Sequence, residues 1–120
     1  MLKANPQAEN DYEPVLALAE KRNIGIIAMK SVARGAWPTD QKPYNTWYQP
    51  FDTQTEIDRA IWFTLSQKVT TAACSSDIRI ARMSIDAAER FREMTEEEQS
   101  SLLSSVRGHA PLFPRATIGR

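Results

Sequence analysis

Apolar positions along the chain follow two alternating periods. Val15, Leu16, Leu18 and Ala19 recur at helical spacing and predict a helix from about Tyr12 to Arg22, with Asn10 or Asp11 as its cap. Pro14 falls in the first turn, where a missing N–H costs nothing. Asn23 ends this helix, and Ile24-Gly25-Ile26-Ile27-Ala28-Met29 runs on almost continuously apolar, the pattern of a strand covered on both faces, as in parallel sheets. A second helix is expected from about Thr55 to Gln67, with Ile57, Ala60, Ile61 and Leu65 in phase and Trp62 and Phe63 widening the stripe. Val69 to Ala73 reads as a second short strand. A third helix beginning near Asp77 carries Ile78, Ala81, Ile85, Ala88 and Phe91 on one face, and Thr95-Glu96-Glu97-Glu98 opens a fourth with capping-box spacing.

Helix and strand alternate without an internal repeat, which predicts an α/β fold with right-handed crossovers. Residues 31–54 form a long connection containing Trp37, Tyr44, Trp47, Tyr48 and Phe51. So many aromatics in so long a segment point to packing, either as the lining of a substrate pocket or as a flap over the helices. Residues 107–120 read as an irregular tail. Two parallel strands make no comfortable sheet alone, so more strands are expected to complete it, from a larger α/β protein, a second copy or another chain.

Composition narrows the class of partner. The 120 residues, 42% hydrophobic and 25% charged, describe one ordinary soluble domain at most. Fifteen basic residues offset fifteen acidic ones, so there is no global field to draw nucleic acid or an anionic membrane, and any anion must be bound locally. The single cysteine excludes an internal disulfide and fits a reducing compartment, and the expected location is cytoplasmic. Met1 to Pro6 holds no apolar signal core, and no stretch approaches the length of a membrane span.

The local anion candidate is Thr70-Thr71-Ala72-Ala73-Cys74-Ser75-Ser76-Asp77-Ile78-Arg79-Ile80-Ala81-Arg82, a short strand running through small polar residues into a helix. Arginines near a helix N-terminus oppose its dipole and call for an anion. Cys74, a small residue at a strand end, is read as structural. His109, beside Gly108 and Pro111 with no second ligand nearby, is read as solvated rather than as a base or metal ligand. Glu96, Glu97 and Glu98 complement a helix N-terminus and need no cation.

Four segments in order resemble the C-terminal part of the aldo-keto reductases, nicotinamide-dependent (β/α)8 barrel enzymes. Val15 to Lys30 looks like the sixth helix leading into the seventh strand, and Glu56 to Gln67 like the seventh helix. Thr70 to Arg82 is similar to the eighth strand and the start of the eighth helix, and Met94-Thr95-Glu96-Glu97-Glu98 to the opening of the family's late helix. The resemblance covers most of residues 11–106 and implies a partial (β/α)8 barrel, strands seven and eight with their helices, across residues 1–120. It further implies a site for the phosphates of NADPH, since such barrels bind phosphate with the loops after those strands.

Residue by residue, Arg79 matches the family's phosphate-binding arginine. Ala73 and Cys74 stand at its phosphate-contacting polar pair, with the hydroxyls of Ser75 and Ser76 one or two positions along. Arg82 and Met83 stand where the family has an adenine-contacting Glu-Asn pair, and two roles are open to Arg82, lying over the adenine or adding charge to the 2′-phosphate. Met29 takes the place of a ring that stacks on the nicotinamide, and Lys30 that of a serine at the pyrophosphate. A lysine serves there as a point charge, and is otherwise a strand-end surface residue.

The resemblance implies NADP as cofactor and a carbonyl substrate only in a complete barrel. The family's tyrosine acid and its lysine, aspartate and histidine helpers come from the first half of the barrel. Tyr12, Tyr44, Tyr48, Lys30 and His109 do not stand in those contexts, so no catalytic residue and no metal site is expected, and the chain alone is expected to be inactive. Two other readings remain open: a non-enzymatic interaction domain assembling through its sheet edges, and a gene fragment without an independent role.

Overall fold

The computed structural model describes residues 12–110 and Leu112. The caps expected at Asn10 or Asp11 and most of the tail lie outside them. In chain order the elements are α1 (Glu13–Lys21), β1 (Ile27–Ala28), β2 (Ala33–Gly35), β3 (Gln49–Pro50), α2 (Gln54–Leu65), β4 (Thr71–Ala72), α3 (Ile78–Glu89) and α4 (Glu96–Val106).

Each helix begins and ends for a local reason. Pro14 sits in the first turn of α1, and Asn23 closes the helix in the left-handed region at φ 53°. There the Asn23 N–H donates to Glu20 O at 3.1 Å and the Ile24 N–H to Ala19 O at 2.9 Å, the paired bonds of a Schellman cap, with asparagine tolerated where glycine is commonest. Thr53 caps α2 and Asp77 caps α3. At α4 the Thr95 hydroxyl accepts from the Glu98 N–H and the Glu98 carboxylate accepts from the Thr95 N–H, the reciprocal pair expected from the sequence.

The result is a small α/β domain of four helices and a few short strands, with no closed barrel among the described residues. β1 and β4 pair in parallel, Ile27 with Thr71 and Ala28 with Ala72, and α2 lies on the path between them. Gly25 lets the chains approach: a Cβ there would stand 3.3 Å from Thr70 Oγ1, which accepts the Ile26 N–H at 2.9 Å. The core lies between α2 and α3, where Ile57, Ile61, Ile80 and Ala87 meet, and the Trp62 indole N–H donates to Ala87 O at 2.8 Å.

Residues 31–54 are not a plain loop. β2 pairs antiparallel with β3, and Val32, Ala33 and Tyr48 join the helical core while Phe51 packs against it. The Thr46 hydroxyl donates to Tyr48 O at 2.6 Å and the Trp37 indole to Thr46 O at 2.8 Å, which satisfies polar groups as the segment is buried. Of the two roles open to the aromatics, packing as a flap over the helices is the one seen; Trp47 alone of the five is exposed.

Three burial expectations are corrected. The apolar run of residues 24–29 is not covered on both faces: Ile24, Ile27 and Met29 are 57%, 65% and 69% exposed, because among the described residues only β4 flanks the two-residue strand. On α1 only Ala19 is buried, while Val15 and Leu18 stay exposed, since the helix has no extensive partner among the described elements. Of the face expected on the third helix, Ala81 is buried, but Ile78, Ile85, Ala88 and Phe91, the last just past the end of α3, are open, and Ile80, Ser84 and Ala87 are buried in their place. Helix α3 is apolar around more than one face, and α2 takes the side centred on Ile80 and Ala87.

Candidate functional site

The parallel register fixes which candidate residues can meet. With Ala28 opposite Ala72 and the Ala73 N–H donating to Ala28 O at 2.9 Å, the chain leaves both strands on one side. Met29 and Lys30 therefore emerge beside Ala73 and Cys74, at the carboxyl ends where α/β proteins place ligands. Lys30 stands in the left-handed region at φ 60°, uncommon for a residue with a Cβ, and its ammonium lies 5.1 Å from the centre of the Trp47 ring.

Across the same edge, the entry to α3 is clasped to the aromatic flap. The Asp77 carboxylate accepts the Arg79 N–H at 2.9 Å, Arg79 Nε at 3.1 Å and Arg79 Nη2 at 2.8 Å. It also accepts the Asn45 N–H at 2.8 Å. The Ser76 hydroxyl donates to Asn45 O at 2.6 Å, Arg79 Nη2 donates to Pro43 O at 2.5 Å, and the guanidinium lies 4.5 Å from the Tyr44 ring centre. The Arg79 guanidinium, together with the backbone donor from Asn45, holds the Asp77 carboxyl well below the usual carboxylate range, and Asp77 raises Arg79 in return. Burial, then the Asp52 carboxylate, pushes the Tyr44 phenol up.

The charge that cations at a helix N-terminus call for is thus supplied within the chain by Asp77. Arg79 still has a donor to spare, because Nη1 makes no bond among the described residues and the side chain is 57% exposed.

The other candidates spread around this clasp. Ser75 Oγ accepts the Asp77 N–H at 3.3 Å. Cys74 is exposed and lines an apolar groove of about 400 Å³ between β4 and α3, with Ala73, Leu65, Ile85 and Ala88. Met29 is exposed on the strand end. Arg82 is exposed on α3 with no hydrogen bond or ion pair among the described residues. Met83 packs against the core, and its carbonyl accepts from Gln54 Nε2 at 2.9 Å. Lys30, Ser75, Ser76 and Arg79 therefore share an edge, whereas Met83 belongs to the interior.

Two residues that organise the site were not singled out as functional from sequence. Asp77 was legible as a helix cap, an aspartate directly before an apolar-periodic run, but not as the partner of Arg79. Asn45 carried no signal, because its part rests on backbone atoms. His109 is corrected: it is half-buried rather than solvated, and lines a shallow cleft against the β2–β3 pair with Arg34, Gly35 and Gln49. No group of three or more His, Cys, Asp or Glu among the described residues is arranged to hold a metal, and no helix among them is long and apolar enough to cross a membrane.

Comparisons with protein-family models, curated proteins and solved structures find no match.

Proposed function

We propose that this chain is the C-terminal portion of an aldo-keto reductase-like (β/α)8 barrel, a cytoplasmic oxidoreductase, and that it contributes the phosphate side of an NADPH site. β1 and β4 stand as the seventh and eighth strands. The observation that carries the reading is the one edge at which Lys30, Ser75, Ser76 and Arg79 emerge, beyond the carboxyl ends of two adjacent parallel strands. The exposed Ile24, Ile27 and Met29 support it further, because they flank a two-stranded sheet that has no further strand among the described residues.

The donors present suit phosphate. Lys30 serves the pyrophosphate as a point charge, Ser75 and Ser76 supply hydroxyls, and Arg79 presents Nη1 while Asp77 holds its other nitrogens. Arg82, one turn further along α3, supplies the additional cation that favours a 2′-phosphate. Cys74 and Met29 contribute apolar contact, and the buried side of Met83 leaves it a packing role. The bound cofactor supplies the hydride. Residues of this chain bind and orient, and none is assigned a catalytic role; a carbonyl substrate is met only where the barrel is complete.

Titration of the purified chain with NADPH and with NADH tests the reading. Saturable binding that favours NADPH, weakened about tenfold in Lys30→Met as one ion contact of roughly 1.4 kcal/mol is lost, is expected. Absence of binding to either nucleotide, or equal affinities indifferent to Lys30→Met and Arg82→Met, would overturn it.

A further inference from the structure

Helix α3 keeps a second apolar stripe that nothing in the described chain covers. Ile78 and Ile85 are 64% and 51% exposed, and Ile85 and Ala88 form one wall of the groove whose floor is Ala72 and Ala73. A helix apolar on opposite sides is ordinarily buried on both. The charges bordering this stripe bear on what could cover it. Arg82 and Glu89 lie two turns apart on the same side of α3 with Ile85 between them, and neither forms an ion pair or hydrogen bond among the described residues.

We propose that this face binds a second copy of the chain, α3 against α3 in antiparallel orientation about a two-fold axis close to Ile85. In that arrangement residues equally far to either side of the axis meet across it. Arg82 of each copy then faces Glu89 of the other, which forms two equivalent ion pairs flanking an apolar centre. The surface is self-complementary in charge, as a two-fold interface requires. The zero formal net charge of the chain removes the long-range repulsion that would oppose pairing. The inference rests on the open face of α3 rather than on the cofactor reading, with which it shares Arg82, so association is measured without nucleotide.

Sedimentation of the full chain and of charge-swapped variants tests it. The wild type is expected to reach twice 13.6 kDa with rising concentration. Arg82→Glu and Glu89→Arg, both on exposed side chains, are each expected to weaken the dimer about tenfold by setting like charges opposite one another, with unchanged far-ultraviolet circular dichroism. The double swap is expected to restore it. Alkylation of Cys74, at the groove, is expected to slow as the dimer forms. A monomer up to about 100 µM, well above the Kd expected of a specific dimer, would overturn the proposal. So would an open-ended oligomer, or a dimer indifferent to both single swaps.

Discussion

The Asp77 carboxylate takes three hydrogen bonds from Arg79, one from its backbone N–H and two from its guanidinium, and a fourth from the Asn45 N–H. This one side chain caps α3, neutralises the first arginine of that helix and pins the aromatic flap to the carboxyl end of the parallel strands. The flap is therefore tied to the candidate site by charge as well as by the core contacts of Val32 and Tyr48.

Asp77→Asn keeps a capping oxygen but removes the charge. Residues 43–46 are expected to loosen while α3 stays helical, with faster hydrogen exchange at the Asn45 amide as the readout. Unchanged protection at Asn45 would show that packing alone holds the flap.

Acid acts on the same contacts. Asp77 and Glu98 both titrate below their ordinary values, Asp77 through Arg79 and Glu98, at about 2, through Arg92 and the Thr95 N–H. A carboxylate depressed in the folded state stabilises in full above its ordinary value, and that share is lost as pH falls through the folded one. For Glu98 the window runs from 4.5 down to about 2. Denaturation curves recorded across it are expected to show falling stability, with a shallower fall in Glu98→Gln. A flat profile in the wild type would contradict the assignment.

Truncation by one methylene separates the core from the open strand. Ile57 is fully buried and Ile27 is 65% exposed. Ile57→Val is expected to cost about 1 kcal/mol in chemical denaturation and Ile27→Val less than half of that. Equal costs would mean that Ile27 is covered in solution.

The helices were legible because each carries its own period and punctuation: Thr95 with Glu98, Asp77 before Ile78, Asn23 after the first helix. Their partners were less so. The apolar residues of α3 satisfy two faces, and periodicity does not say which face α2 takes. β2 and β3 span three and two residues, too short for an alternating pattern to register. At the site, Lys30 and the segment from Ser75 to Arg79 stood out by residue type, and parallel pairing accounts for their meeting. The clasp through Asn45 was not legible, since it rests on a backbone N–H and C=O separated from Asp77 by more than thirty residues.

The most direct measurement is the change in backbone amide shifts across the chain as NADPH is added, recorded by heteronuclear magnetic resonance. If the strand ends form one phosphate site, the largest changes fall together at residues 29–31 and 74–80, with Asn45 moving as the clasp adjusts. Changes scattered over the exposed arginines, or confined to the groove between β4 and α3, would contradict it.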